Sequence, residues 1–258
     1  MKVALIQLST IENNKEATLK KAKKKIEQCS NADLIILPEI WNIGFMSFSM
    51  YTKSAETLDG PTTNLMRKLA QKKRVFLHTG SFIEKKNKKY YNTSLLLSPN
   101  GKIIAKYRKI HLFGYKSQEA NILSSGNKVI VADTSFGKIG MATCFDLRFP
   151  ELFRAMVKKK ADFFLICSAW PNLRLETWLL LNKTRALENQ VYLISANSSG
   201  INRKTKFAGN SMVVDPSGNI VAKALRKETI VKAKIKPCKI KSTRKKFPWL
   251  SSQKKFLS

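Results

Sequence analysis

Short apolar segments alternate with amphipathic segments along most of this chain, and that alternation limits the folds open to it. Residues 3–8 and 34–37 are apolar runs of strand length. Between them, residues 13–29 place Leu19 and Ile26 on one helical face. A strand-helix-strand opening implies parallel strands joined by a right-handed crossover. The sequence therefore predicts an α/β fold.

The later segments predict that antiparallel strands join a sheet begun in parallel. Further strands are expected at residues 75–84, 90–98, 102–110, 128–133, 138–143, 163–170, 191–197, 209–214, 219–224 and 229–235. Further helices are expected from Pro61 onward and at residues 149–160 and 175–189. No Gly/Ser/Pro-rich linker divides the 258 residues. We therefore expect one domain over residues 1–258, with a basic C-terminal segment at about residues 236–258.

The net charge of +31 invites comparison with nucleic-acid-binding proteins. A strongly basic surface attracts phosphates without sequence-specific contacts. Most of the excess, however, is lysine scattered along the chain, which is typical of a solvated surface. We therefore expect any nucleic-acid binding to be non-specific.

The cysteine and histidine content argues against a structural metal or a disulfide framework. The four cysteines are far apart and form no CxxC pair, and there are only two histidines. No apolar stretch approaches the roughly 20 residues that span a bilayer, and the first apolar run is too short for a signal peptide. We expect a cytoplasmic protein with no membrane partner.

Cys144 is the candidate nucleophile. It follows the predicted strand at residues 138–143 and precedes a helix that opens at Phe149. A cysteine in this position can meet the positive end of a helix dipole, which lowers the thiol pKa and makes a thiolate available for attack on a carbonyl. Cys167, inside an apolar run, is expected instead to be a buried structural residue.

A thiol nucleophile needs a base and a group that stabilises the oxyanion. Both histidines precede Cys144, the reverse of the order in papain-like proteases, so His111 is expected to be a structural donor. Glu39 ends a buried strand at the carboxyl edge, where open α/β sheets bind ligands. Lys109 also follows a strand and could supply a fixed positive charge. Taken singly, Glu39 and Lys109 could also be surface residues.

Taken together, the segments around these residues resemble the Glu, Lys and Cys motifs of the nitrilase superfamily of carbon–nitrogen hydrolases. In order and spacing they are LPE at 37–39, YRKIHLF at 107–113 and CFDLRFPEL at 144–152. The resemblance covers nearly the whole chain and includes RALENQ at 185–190, AGNS at 208–211 and DPSG at 215–218.

The resemblance implies a four-layer α-β-β-α sandwich of mixed sheets, with protomers paired into a homodimer or a higher homo-oligomer. It also implies that Glu39 is the proton acceptor, that Cys144 is the nucleophile, and that Lys109 and the backbone N–H of Phe145 stabilise the oxyanion. Glu119 resembles a fourth residue of this set, a second carboxylate that positions Lys109 and the substrate. No metal or organic cofactor is implied.

SAWP at 168–171, Arg174 and Trp178 resemble the branch of ω-amidase and methionine-salvage amidase type, which acts on amides of 2-oxo acids. The implied function is a hydrolase that cleaves the ω-amide of a 2-oxo acid to a carboxylate and ammonia through a cysteine thioester. Arg174 could bind the substrate carboxylate. Phe45 and Trp170 could form apolar walls of the site or pack in the core.

Two residues close to Cys144, Arg148 and Glu151, are expected to brace the turn and not to touch substrate. Two alternatives within the enzyme class stay open, an N-carbamoyl amine hydrolase and a deaminated-glutathione amidase with the same catalytic residues. An alternative of another class is a basic polyanion-binding protein on an inactive hydrolase scaffold.

Overall fold

The computed structural model describes residues 1–115, 117–252 and 254, and most of its strands and helices lie where the apolar periodicity predicts them. The strands are β1 (Lys2–Gln7), β2 (Leu34–Ile36), β3 (Phe76–Lys86), β4 (Lys89–Leu97), β5 (Ile103–Arg108), β6 (Val131–Thr134), β7 (Gly137–Thr143), β8 (Phe163–Ser168), β9 (Tyr192–Asn197), β10 (Ile201–Asn202), β11 (Thr205–Lys206), β12 (Met212–Val214), β13 (Ile220–Lys223) and β14 (Thr229–Lys234). The helices are α1 (Lys15–Glu27), α2 (Pro61–Lys73), α3 (Glu119–Ile122), α4 (Pro150–Lys158), α5 (Leu175–Asn189) and α6 (Cys238–Lys246).

Two six-stranded sheets of the same design carry the fold. The first has the strand order β14-β1-β2-β3-β4-β5, and the second has the order β13-β12-β9-β8-β7-β6. In each sheet three consecutive strands are parallel and the outer strands are antiparallel. Strand β14 returns from the end of the chain to pair with β1. The predicted mixed sheets are confirmed.

Side-chain alternation along the strands sorts the core into layers. Val3 and Leu5 of β1 belong to the large cluster that also contains the core of the second sheet, whereas Ala4 and Ile6 pack with Ile26 of α1. This two-residue period follows from the pleat of a strand. Helices α1 and α2 thus cover the outer face of the first sheet, and α4 and α5 cover the second. The predicted four-layer α-β-β-α sandwich is confirmed.

The C-terminal segment contains a helix that the sequence did not predict. Within α6 only Ile240 and Thr243 are buried, too few for a clear apolar period among the lysines. Ion pairs with Asp215 and Asp162 hold α6 to the body through Lys239 and Arg244. Of the expected basic segment at 236–258, residues 253 and 255–258 lie outside the described residues.

The short hairpin of β10 and β11 was also not predicted, because two-residue strands carry no periodic signal. Across the described ranges, no helix combines the length and the apolar character that crossing a membrane requires.

Candidate active site

The carboxyl ends of four strands meet where the two sheets face each other. Glu39 lies shortly after β2, and Lys109 directly follows β5 of the same sheet. Cys144 and Ala169 directly follow β7 and β8 of the second sheet. Glu39 joins the two sheets, because its N–H donates to Ser168 O at 3.3 Å and its Oε2 accepts the N–H of Ala169 at 2.9 Å. Open α/β sheets bind ligands at this edge.

A fully buried cluster of three charged side chains lies at this edge. Lys109 Nζ donates to Glu39 Oε1 at 2.8 Å and to both oxygens of Glu119, at 2.8 and 3.0 Å. Burial acts to lower the pKa of Lys109, but the charges of Glu119 and Glu39 outweigh it and raise that pKa well above its ordinary value. Lys109 is therefore an ammonium at any physiological pH. The structure brings together three residues that the sequence singled out.

Glu119 is a fully buried carboxylate whose charged form its surroundings disfavour. Burial raises the pKa of Glu119, and the charge of Glu39 adds to this effect while Lys109 opposes it. It begins the short helix α3, and its Oε2 also accepts the backbone N–H of Phe113 at 2.8 Å. These donors hold Glu119 against Lys109 in one orientation.

Asn92 is a site residue that sequence reasoning missed. It lies in β4 with its side chain buried, and its Nδ2 donates to Glu39 Oε1 and to Glu119 Oε1, both at 2.9 Å. The backbone carbonyl of Asn92 accepts the backbone N–H of Lys109 at 2.9 Å. Asparagine is disfavoured inside strands. A polar asparagine within a run of strand-forming residues was the sequence signal that could have identified Asn92.

Cys144 lies in a sharp turn, with only 8% of its surface exposed and a positive φ of 47°. Such backbone strain in a non-glycine residue is concentrated at functional sites. The residue begins a 3-10 helix, Cys144–Arg148, and α4 starts only at Pro150. The sequence suggested that the thiol lies at the first turn of an α-helix. The structure places it before that helix instead.

The predicted lowering of the Cys144 pKa was also wrong. Burial and the nearby charge of Glu39 raise the pKa of the thiol well above its ordinary value, although Lys109, the Ser168 hydroxyl and the Ala169 N–H act in the opposite direction. At neutral pH Cys144 is consequently a thiol and not a thiolate. Activation must come from a base in contact with the reacting complex.

Asp146 fixes the turn that follows Cys144. Its Oδ2 accepts the Tyr107 hydroxyl at 2.6 Å and the Thr143 N–H at 2.8 Å, and its Oδ1 contacts His111 Nδ1 at 2.7 Å. The His111 ring also stacks on Phe149 at a centroid distance of 3.7 Å. His111 thus has the structural role expected of it.

The remaining cysteines do not lie in this turn and do not line the chamber over Cys144. Burial raises the pKa of Cys29 to about 11 and that of Cys167 to about 12. Cys167 Sγ lies 3.4 Å from Thr143 Oγ1 inside the second sheet. Cys238 is exposed on α6, away from the charged cluster.

A small chamber of about 60 Å³ lies over Cys144. Its lining includes all four residues proposed from the sequence as substrate contacts, which are Phe45, Phe145, Trp170 and Arg174. It opens toward a larger vestibule of about 620 Å³ that shares Phe45 and Arg174 as walls. A cavity needs about 10–15 Å³ of such space to hold one water molecule, so the chamber has room for a group the size of a few waters.

Arg148 contributes to the chamber, although the sequence assigned it only to bracing the turn. It lines the chamber, with its guanidinium carbon 5.5 Å from the ring centroid of Trp170 and 6.0 Å from that of Phe145. Glu151 is exposed in the first turn of α4 and is not part of the chamber lining. The bracing contact is made instead by Arg185, whose Nε donates to Leu147 O at 3.0 Å.

Tyr51 is a second residue that sequence reasoning missed. It is fully buried, and its hydroxyl donates to Phe45 O at 2.6 Å. Burial raises the pKa of Tyr51 well above its ordinary value, and the charges of Glu119 and Glu39 add to this effect. Tyr51 therefore packs beside the cluster as a neutral phenol. The irregular segment at residues 40–60 offers no periodic pattern that could have identified it.

Comparisons with known proteins agree with this geometry. The family model described as carbon-nitrogen hydrolase matches residues 2–245. The chain is 30% identical over 247 residues to the 2-oxoglutaramate amidase of Paenarthrobacter nicotinovorans, covering 93% of this chain and 84% of that protein. It is 35% identical over 274 residues to Omega-amidase NIT3 of Saccharomyces cerevisiae, covering 99% and 94%.

The crystal structure of Saccharomyces cerevisiae Nit3, a member of branch 10 of the nitrilase superfamily, has the same fold. It superimposes with a TM-score of 0.89 at 35% identity, covering 96% of this chain and 94% of that one. These matches confirm the resemblance drawn from the motifs and the predicted hydrolase class. The chain belongs to the carbon–nitrogen hydrolase family.

Proposed function

We propose that this protein hydrolyses the ω-amide of a small 2-oxo acid to the free acid and ammonia, through a thioester on Cys144. The observation that carries the proposal is the buried cluster of Glu39, Lys109 and Glu119 beside a thiol at the base of a small chamber. The names of the 2-oxoglutaramate amidase and Omega-amidase relatives support this substrate class.

In the first step Glu39 accepts the proton of the Cys144 thiol as Sγ attacks the amide carbon. The raised pKa of Cys144 means that little thiolate exists before substrate binds. Proton transfer is then coupled to formation of the carbon–sulfur bond, which is general-base catalysis. This coupling protects the resting enzyme from unwanted reaction of a free thiolate.

Charge developing on the amide oxygen is stabilised by Lys109 and by the backbone N–H of Phe145. Because Lys109 is held as an ammonium, its charge is present before the oxyanion forms. Glu119 keeps the ammonium in place through two contacts of 2.8 and 3.0 Å. A positive charge that is already in place stabilises the transition state with little further rearrangement of the site.

The tetrahedral intermediate then collapses, and the carbon–nitrogen bond breaks. Glu39 returns its proton to the leaving nitrogen, which departs as ammonia and leaves an acyl thioester on Cys144. Glu39 next deprotonates a water molecule that attacks the thioester carbon. Collapse of the second intermediate releases the carboxylic acid, and the sulfur recovers its proton from Glu39.

The dimensions of the site favour an amide at one end of a short acidic molecule. The chamber holds a carboxamide, and the rest of the substrate would extend into the vestibule past Arg174. Across residues 1–115, 117–252 and 254, neither Arg148 nor Arg174 forms an ion pair with a carboxylate. A guanidinium beside apolar rings suits a substrate carboxylate.

Ammonia release tests the proposal. Wild-type protein would be assayed for ammonia with 2-oxo acid ω-amides, N-carbamoyl amines and nitriles, and for the leaving amine cysteinylglycine with deaminated glutathione. We expect release from the 2-oxo acid amides, loss of it in Cys144→Ala, and retention in Cys167→Ala as the matched buried-cysteine control. Turnover by Cys144→Ala would exclude the thioester route. A preference for N-carbamoyl amines or deaminated glutathione would show that the proposed substrate class is wrong.

We also propose that the protein forms a homodimer through the outer face of α5. Leu180 and Leu187 are seven residues apart on this helix, so they share a face, and they are 63% and 42% exposed. Leu173, just before α5, is 93% exposed. Cytoplasmic location and the restriction of nucleic-acid binding to non-specific contacts stay predictions from the sequence.

A further inference from the structure

Asn92 contacts every member of the buried charged cluster. Its Nδ2 lies 2.9 Å from one oxygen of Glu39 and 2.9 Å from one oxygen of Glu119. Its backbone carbonyl accepts the N–H of Lys109. Within the described residues, its own Oδ1 is a buried oxygen without a hydrogen-bond partner. The side chain is therefore held in place by what it donates to the two carboxylates.

Asn92 and Lys109 donate to the same carboxylate oxygens. Glu39 Oε1 accepts from Lys109 at 2.8 Å and from Asn92 at 2.9 Å, and Glu119 Oε1 accepts from Lys109 at 3.0 Å and from Asn92 at 2.9 Å. The shorter contact between Lys109 and Glu119 goes to Oε2. If Lys109 leaves Glu39 Oε1 or Glu119 Oε1, Asn92 therefore remains as a second donor to that oxygen, and Glu119 Oε2 keeps the N–H of Phe113.

An ammonium has three N–H groups, and three carboxylate oxygens occupy them here. To stabilise an oxyanion, Lys109 must turn one N–H away from a buried carboxylate. An acceptor that loses its donor in such surroundings carries the full desolvation penalty. The amide of Asn92 removes that penalty at Glu39 Oε1 and at Glu119 Oε1, and it adds no charge to the cluster.

We infer that Asn92 is a positioning residue, which frees one N–H of Lys109 for the oxyanion and keeps the carboxylates ionised by donating to both. This inference rests on the proposed function, because it assigns Asn92 a part in the reaction at the same site. Asn92 itself need not touch the substrate.

Two variants of Asn92 and a matched control test the inference. Asn92→Ala removes both donors, and Asn92→Asp keeps the shape but exchanges the donors for a third carboxyl group. Asn182→Ala is the control, because Asn182 is also a buried asparagine with an unpartnered Oδ1, but its Nδ2 donates to a helix carbonyl in α5. Thermal unfolding of all three variants establishes that they fold.

We expect Asn92→Ala to lower kcat about 10²-fold, the effect typical of losing one oxyanion-stabilising group, with KM changed by less than about 3-fold. The acid limb of the kcat/KM profile should move to higher pH. A carboxylate that loses a donor has a higher pKa, so its ionised form is lost earlier as pH falls. Asn92→Asp should move the limb further, because a third carboxyl group adds repulsion.

Alkylation of Cys144 by iodoacetamide gives a readout that needs no amide substrate. Its pH dependence should shift in both Asn92 variants and not in Asn182→Ala. If wild-type protein hydrolyses none of the amides, the proposed function fails, and the alkylation profile still decides the role of Asn92. Unchanged kcat and alkylation profiles in a folded Asn92→Ala, or a loss of kcat equal to that of Asn182→Ala, would overturn the inference.

Discussion

At the scale of single residues, the site depends on one cation shared by two buried carboxylates. Lys109 is fully buried, and its nitrogen lies within 3.0 Å of Glu39 and Glu119. Removing one partner of a buried ion pair is strongly destabilising, because it leaves the other charge buried without compensation. The three side chains are therefore interdependent, and removing the lysine should be felt in stability as well as in catalysis.

Lys109→Met should abolish measurable turnover and destabilise the fold by about 3–5 kcal/mol at neutral pH, because two buried carboxylates lose their counter-charge. Without Lys109, the already raised pKa of Glu119 rises further. A carboxyl group whose pKa is raised in the folded state contributes stability at low pH that is lost as pH rises through that pKa. The difference in Tm from wild type should therefore widen as the pH rises above about 5, the upper end of the ordinary glutamate range.

Lys106→Met is the matched control, since Lys106 lies on β5, the strand that Lys109 follows, but is partly exposed and 3.8 Å from Glu84. Its loss should cost less than about 1 kcal/mol. A Tm difference for Lys109→Met that stays constant across this pH range would contradict the description of the cluster.

Arg174→Gln tests the residue proposed to bind the substrate carboxylate. A charge-assisted hydrogen bond is worth about 1.5–3 kcal/mol, so KM for a 2-oxo acid ω-amide should rise by about 10- to 100-fold. A neutral amide of similar size should be unaffected. Steady-state kinetics of Arg174→Gln, Arg148→Gln and the exposed Arg226→Gln would be compared. A rise in KM for Arg148→Gln alone would transfer the role to the other chamber arginine.

At the scale of elements, regular strands and helices could be predicted, but the contacts between segments could not. Helix α5 has the bounds predicted from its pattern, and the motifs located Glu39, Lys109 and Cys144. Asn92 was missed because its partners come from other segments of the chain. The pKa of Cys144 was misjudged because burial and the charge of Glu39, which only the folded chain reveals, dominate it.

The turn that holds Cys144 yields a prediction at this scale. Asp146→Asn would place an amide where a buried carboxylate now accepts from Tyr107, Thr143 and His111. At least one donor would lose its acceptor, at a cost of about 1–3 kcal/mol in unfolding free energy. Urea unfolding would measure that loss, and kcat should fall because the turn no longer fixes Sγ. Asp133→Asn on β6, whose side chain is 82% exposed, is the control and should change neither quantity.

At the scale of the whole molecule, the net charge of +31 opposes self-association, because like-charged protomers repel. Helix α5 is an exception to the basic surface. It carries two acidic and two basic residues, and its outer face exposes Leu180 and Leu187. In α1, by contrast, lysines far outnumber acids. A neutral and apolar face on a basic protein is where two copies can approach with least repulsion.

The double variant Leu180→Lys/Leu187→Lys should therefore be a monomer under conditions in which wild-type protein is a dimer. Each lysine removes apolar contact and adds a like charge at the interface. Sedimentation equilibrium would measure the association constant at low and high salt, and wild-type association should strengthen with salt because screening weakens the repulsion. The matched control is Ile220→Lys/Val221→Lys, which adds the same charge at two partly exposed apolar residues of β13. Dimers that persist in the α5 variant and dissociate in the β13 variant would place the interface at the β13 edge of the second sheet instead.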